Sequence, residues 1–171
     1  MRRYAAAAAF AAVCSAQTAA EQKEYEEWHA AASMYGYTWE PLKVHTEDGY
    51  TLTMMKITGN SLKETLPTDK HPIMVVPPMG STPHSWVMNY VLNSHPTLAN
   101  PVFFNLYDQG HPLYLLYVRG LTYSQENDSY SALDEAFWNF SWQDIGMYDV
   151  PAAMQVIENE TSKTVGLLGF S

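Results

Sequence analysis

The residues whose types and spacing could do chemistry lie at the C-terminal end of the sequence, in Thr164-Val165-Gly166-Leu167-Leu168-Gly169-Phe170-Ser171. A short apolar run there ends in Gly-x-Ser. That is the first half of a nucleophile elbow, Gly-x-Ser-x-Gly, in which a strand turns sharply into a helix and holds a serine hydroxyl clear of the sheet. The chemistry of such an elbow is acyl transfer. The hydroxyl attacks an ester carbonyl, a histidine takes its proton, a carboxylate orients the histidine, and backbone N–H groups receive the charge on the carbonyl oxygen. The carboxylate and the histidine follow the serine in chain order. Both are therefore expected beyond Ser171, as is the N–H of the next residue, the second oxyanion donor. An ordinary strand followed by a Ser-containing loop has the same three residues, so the upstream sequence must decide between them.

The elements that would position Ser171 are legible in the preceding residues. Asp149 is placed to cap a helix from about Val150 to Asn159, because Pro151 is tolerated only in a first turn. Leu113 to Tyr117 and Pro72 to Val76 are short apolar strands, the latter stopped by Pro77-Pro78, which cannot donate to a ladder. Ser85 to Leu92 reads as a short helix. Leu42 to His45 and Tyr50 to Ile57 are strand-like and flank Asp48-Gly49, a strong hairpin signal. Gly59 to His71 and Ser124 to Leu133 read as loops. Residues 17–35 form a helix with Tyr25, Trp28, Ala32 and Tyr35 on one face, stopped by Gly36. Strands alternating with helices predict an α/β fold in which an antiparallel hairpin precedes parallel strands joined by crossover helices.

Composition excludes some functions. The formal charge is −9 over 171 residues, with no basic patch to neutralise phosphates, so nucleic acid is not a partner. Hydrophobic residues make up 47% of the chain, enough for a sizeable core. The six histidines show no metal-ligand spacing, and the chemistry above requires no metal or cofactor. Arg2 and Arg3 followed by the apolar run Tyr4 to Val13 and the small residues Cys14, Ser15 and Ala16 resemble a secretory signal peptide spanning residues 1–16. The run is shorter than the roughly 20 residues that span a bilayer. The other reading is an Ala-rich helix that stays attached. The single cysteine lies in this segment. Asn127-Asp-Ser, Asn139-Phe-Ser and Asn159-Glu-Thr are glycosylation sequons.

Four stretches together resemble one family, the gastric and lysosomal acid lipases of the α/β-hydrolase fold. Gly36-Tyr37 with Val44 to Leu52 is similar to that family's opening hairpin. Gly110 through Arg119-Gly120 is similar to its fourth-strand segment. Phe137-Trp138-Asn139-Phe140-Ser141-Trp142, followed by Asp144 and Tyr148-Asp149-Val150-Pro151-Ala152, is the most specific match. Gly166 to Ser171 looks like its elbow. The resemblance runs from about Met34 to Ser171. It implies that residues 36–171 are the N-terminal part of an α/β-hydrolase lipase domain, interrupted at the elbow, with Ser171 as nucleophile. Where the family has His-Gly at its oxyanion turn, this chain aligns Pro77-Pro78. Met79 then supplies the first oxyanion donor through its backbone N–H, although a register shifted to Met79-Gly80 is also open. The elbow histidine of the family is Phe170 here, and its Asn two residues before Arg-Gly is Tyr117.

The resemblance further implies a neutral lipid or ester substrate, triacylglycerol or steryl ester, peripheral contact with a lipid interface, and a secreted or lysosome-like location. A different class is also open: a non-catalytic exported module that keeps the half-fold for binding. His84 and His111 are assigned no catalytic role. Arg119 is expected in a structural ion pair, and the aromatic cluster Phe137, Trp138, Phe140 and Trp142 is expected to pack a loop onto the sheet.

Overall fold

The computed structural model describes residues 19–62, 64, 69–78, 80–81 and 102–169. The signal segment, the helix expected at 85–92, Met79, Phe170 and Ser171 lie outside those residues.

Six strands form one mixed sheet among the described residues: β1 Tyr37–His45, β2 Tyr50–Asn60, β3 Ile73–Val76, β4 Leu113–Tyr117, β5 Glu126–Asn127 and β6 Gly166–Gly169. The spatial order is β1-β2-β4-β3-β6, with the short β5 paired to the start of β2. β1 and β2 form the expected antiparallel hairpin, and β2 pairs antiparallel with β4. β4, β3 and β6 run parallel. Parallel neighbours need crossover connections. One of these contains helix α2, Val102–Asp108, and the one entering β6 contains helix α3, Val150–Thr161. Helix α1, Ala19–Met34, precedes the sheet and ends where the chain turns at Gly36, whose φ of +80° favours glycine.

Side-chain alternation divides the interior into two cores. Leu113, Leu115 and Tyr117 of β4 join Met55, Ile57, Val75, Trp28 of α1, and Phe103, Phe104 and Tyr107 of α2 on one face. Tyr114 and Leu116 join Leu52, Met54, Met74, and Ala153 and Ile157 of α3 on the other. β4 is buried at all five positions, because helices cover both of its faces. A strand covered on both faces reads as an unbroken apolar run rather than an alternation. β1 lies at the margin of the sheet, which is why Pro41 fits within it. The apolar residues of β6 are less enclosed: Leu168 packs against the first core, while Leu167 is 55% exposed.

Several elements differ from expectation. The hairpin strands extend to Tyr37 and Asn60, and α3 continues to Thr161. Helix α2 has no counterpart in the sequence reading. Asp149 does not cap α3. Its backbone is already helical (φ −66°, ψ −51°) and its side chain makes no capping bond. The helix has begun upstream, in a turn at Trp142–Asp144 that continues through a wide π-turn, Ile145–Asp149. Ser141 caps that turn, in a capping box closed by Asp144. The Asp149 carboxylate is directed elsewhere.

Candidate active site at the carboxyl edge of the sheet

β3, β4 and β6 run parallel, so their C-terminal ends share one edge of the sheet. Open α/β sheets place their sites outside this edge. Val76 pairs with Gly169 at the ends of neighbouring strands. In sequence, Met79 comes three residues after the end of β3 and Ser171 two after the end of β6, and these two strands are neighbours. Met79 and Ser171 themselves lie outside the described residues. On the β3 side, Pro77 is buried and Ser81 N donates to Pro78 O at 3.0 Å. β2 is antiparallel to β4 and pairs Thr53 with Tyr117. The hairpin turn before β2 therefore reaches the same edge.

That edge is held by a buried ion cluster centred on Arg119. Just past the end of β4, Arg119 donates its backbone N–H to Asp149 Oδ2 at 2.8 Å and its Nε–H to Asp149 Oδ1 at 2.7 Å. Its two terminal nitrogens donate to Asp48 of the hairpin turn at 2.6 and 2.9 Å. Thr46 Oγ1 donates to the same carboxylate at 2.6 Å. The guanidinium stacks over the Tyr50 ring at 4.0 Å, and Tyr50 in turn donates to the Phe137 carbonyl. The side chains of Arg119 and Asp149 are 1% and 0% exposed, and that of Asp48 27%.

Burial raises the Asp48 carboxyl, but hydrogen bonds from Arg119 and Thr46 and the charge of Arg119 outweigh it and hold the group below the usual carboxylate range. At Asp149 burial prevails and pushes the carboxyl up against the pull of Arg119. Burial disfavours the Arg119 cation, but the two carboxylates more than compensate and raise it. The expected structural ion pair of Arg119 is therefore present. It has two carboxylate partners, on segments that sequence spacing does not connect.

Gly120 is required beside this cluster. Its φ is +83°, and a Cβ there would lie 2.9 Å from Phe140 Cζ and 3.0 Å from Trp138 Cζ3. The aromatic cluster is divided. Phe137 is fully buried against Tyr50, and Phe140 packs partly beside it. Trp138, 45% exposed, still packs edge-on against Phe137 at 5.0 Å and donates Nε1–H to Ala132 O. Trp142 is 66% exposed, so loop packing accounts for three of the four rings.

Of the described histidines, His45 ends β1 beside the hairpin turn, with Nδ1 3.1 Å from Thr51 Oγ1 and Nε2 3.3 Å from Asp128 Oδ2. His111 Nδ1 lies 2.8 Å from His71 O and His71 Nδ1 3.0 Å from Thr164 O, tying together the segments that enter β4, β3 and β6 at the opposite edge. His84 lies outside the described residues. Among the described residues, no group of three or more His, Cys, Asp or Glu side chains could hold a metal ion.

The strand order and edge geometry define the class. The chain has the α/β-hydrolase fold, represented from its leading hairpin through β6. The model of the partial α/β-hydrolase lipase region matches residues 29–90. The Pyrococcus furiosus esterase Pf2001 superposes with a TM-score of 0.50 at 12% identity, covering 81% of this chain and 45% of that one. Within this fold, the chain is related in sequence to the gastric and lysosomal acid lipases. It is 28% identical to a putative lysosomal acid lipase/cholesteryl ester hydrolase of Crotalus adamanteus, with 80% of this chain and 35% of that protein covered. It is 29% identical to the gastric triacylglycerol lipase of Rattus norvegicus (80% and 36% covered). It is 28% identical to the human lysosomal acid lipase/cholesteryl ester hydrolase (81% and 36% covered). The chain thus spans about a third of the length of these relatives.

Proposed function

We propose that this chain is the nucleophile-bearing N-terminal part of a serine carboxylic-ester hydrolase that acts on neutral lipid esters, triacylglycerols or steryl esters, in a secreted or lysosome-like compartment. The observation that carries the proposal is the strand β6. It lies parallel to β3 in the order β1-β2-β4-β3-β6 and ends with Gly169 at the carboxyl edge, and Phe170 and Ser171 are the next residues in sequence. The relationship to acid lipases supports the substrate class.

Ser171 Oγ gives its proton to the base and attacks the ester carbonyl. The bond to the alkoxy oxygen breaks, the alcohol leaves with that proton, and water hydrolyses the acyl-serine to a carboxylic acid and free serine. The backbone N–H of Met79, which follows the neighbouring strand in sequence, and that of the residue following Ser171 stabilise the oxyanion. Fixed donors of this kind are worth roughly 3 kcal/mol each in transition-state stabilisation. The base and the orienting carboxylate come from sequence that follows Ser171, in the order serine, acid, histidine. Residues 1–171 by themselves are therefore inactive. Arg119, Asp48 and Asp149 are bonded to one another and serve to hold the loops of this edge in place.

The test compares hydrolysis of short- and long-chain acyl esters by the full-length protein and by its Ser171→Ala variant. Loss of single triad members costs on the order of 10^4 to 10^6 in turnover, so the variant should show no measurable hydrolysis. Full activity in the variant would overturn the assignment.

A further inference from the structure

We infer that a cleft at the opposite edge of the sheet, where the parallel strands begin, binds a small organic carboxylate through Tyr107 and Lys163. The cleft has a volume of about 390 Å³. Sites for small organic ligands are roughly 300–1,000 Å³.

The sequence opens this cleft by ending a ladder early. β2 pairs with β4 from Thr53–Tyr117 to Lys56–Tyr114. It then continues to Asn60 with β1 as its partner. Extending the register would set Thr58 opposite Pro112, which has no N–H to donate. Lys56, Ile57 and Thr58 therefore line one wall, and Pro112 and Tyr114 line another. Tyr107 comes from the end of α2, and Glu160 and Lys163 from the end of α3 and just beyond it.

The polar groups of the cleft carry donors in surplus. Lys56 Nζ donates to Glu160 Oε1 and lies 3.3 Å from Glu40 Oε1. Glu160 Oε2 accepts from the Tyr114 hydroxyl at 3.3 Å, so both oxygens of Glu160 are engaged. The hydroxyls of Thr58 and Thr161 donate to Thr38 Oγ1 at 3.0 Å and Ile157 O at 2.7 Å. Two groups stand apart. Lys163 donates to the backbone carbonyl of Asp69 and has no carboxylate partner among the described residues. An ammonium has more N–H donors than one carbonyl can use. Tyr107 is 4% exposed, and its hydroxyl makes no hydrogen bond among the described residues. Asp108 and Lys56 are the charges that bear on it. The Asp108 carboxylate already accepts from the Tyr37 hydroxyl, at 2.7 and 2.8 Å to its two oxygens.

A ligand that completes this site must bring acceptor oxygens, because the unused groups are donors. The lining holds two lysines and one glutamate, an excess of one positive charge. A monoanion balances that excess, and a phosphate dianion exceeds it. Ile57, Pro112 and the tyrosine rings leave an apolar wall for a short hydrocarbon body. A carboxylate with such a body meets each requirement, and charge-assisted bonds from Tyr107 and Lys163 would hold it.

Isothermal titration of the full-length protein with sodium hexanoate tests the inference, with hexanol and inorganic phosphate as controls. Hexanoate should bind, and its affinity should fall as salt rises. Neither control should bind. Tyr107→Phe and Lys163→Met each remove a donor to a charged acceptor while keeping the bulk of the side chain. Each should weaken hexanoate binding by about tenfold or more, and Tyr107→Phe should hydrolyse esters as wild type does. A carboxylate held at the carboxyl edge instead would be indifferent to both changes. No binding of hexanoate, binding of hexanol or phosphate as tight as that of hexanoate, or unchanged affinity in either variant would overturn the inference.

Discussion

Replacing Arg119 by methionine removes the cation from the carboxyl edge while keeping an apolar stem of similar length. The backbone donor to Asp149 Oδ2 survives, but the Nε donor at 2.7 Å and both donors to Asp48 are lost. Asp149, fully buried, is then left with no cation beside it. Breaking a buried pair by deleting one partner costs about 3–5 kcal/mol, and loss of the cation stacked 4.0 Å over Tyr50 adds about 0.5–2 kcal/mol. A total of about 5 kcal/mol corresponds to a fall in Tm of about 10–20 °C for a protein of this size or somewhat larger. Urea denaturation of full-length wild type and Arg119→Met measures the difference. A second change, Asp149→Asn, made in the Arg119→Met background, should recover about 1–3 kcal/mol because it neutralises the stranded carboxylate. A loss below about 1 kcal/mol in the single variant, or no recovery in the double, would refute the view that this cluster fastens the hairpin turn to the start of α3.

Two further outcomes follow from the same edge. Phe137→Ala should cost about 3–5 kcal/mol, because the ring is fully buried against Tyr50. Trp142→Ala, at a ring 66% exposed, should cost no more than about 0.5 kcal/mol, and parallel thermal melts of the two variants check the contrast. The folded-state carboxyls of Asp48 and Asp144 lie below their ordinary values. The stability they contribute is therefore complete above about pH 3.9, the unfolded value, and is lost as pH falls through the lower folded values. Asp149 is raised and has the opposite sign, gaining stability as pH falls through its window above the ordinary value. Asp48→Asn should consequently be less stable at neutral pH and show a flatter acid limb in a stability–pH series. An unchanged limb would contradict this account.

How much of this was legible in the sequence depended on how local each determinant was. The hairpin could be read from Asp48-Gly49, the strand stop from Pro77-Pro78, and the helix end from Gly36, because each acts on its own backbone. The apolar runs of β3 and β4 showed as strands because both faces are covered. Helix α2 was missed: it is only seven residues long and its Phe103-Phe104 pair reads as readily as strand. Asp149 was misjudged because an aspartate before Val-Pro satisfies the local rules for a cap. Its actual partner, Arg119, is 30 residues away in sequence and is reached only when β4 and α3 come together. The same limit applied to Asp48, which reads as a turn residue and serves also as an ion-pair partner. In the aromatic cluster, spacing could not say which rings face inward, because a 3-10 turn at Glu135–Trp138 and the turn from Trp142 set their directions. Ser171 and Met79 came from motif and resemblance. The fold contributes the adjacency of the strands that lead to them.

The central claim is that Ser171 is the nucleophile of an ester hydrolase, and covalent labelling tests it most directly. The full-length protein is treated with a serine-directed phosphonate ester, digested, and the modified peptide sequenced by mass spectrometry. The account predicts one adduct, on Ser171, formed in step with loss of hydrolysis and absent from Ser171→Ala. An adduct on another serine that accompanies inactivation, or an active protein with Ser171 unlabelled, would contradict it.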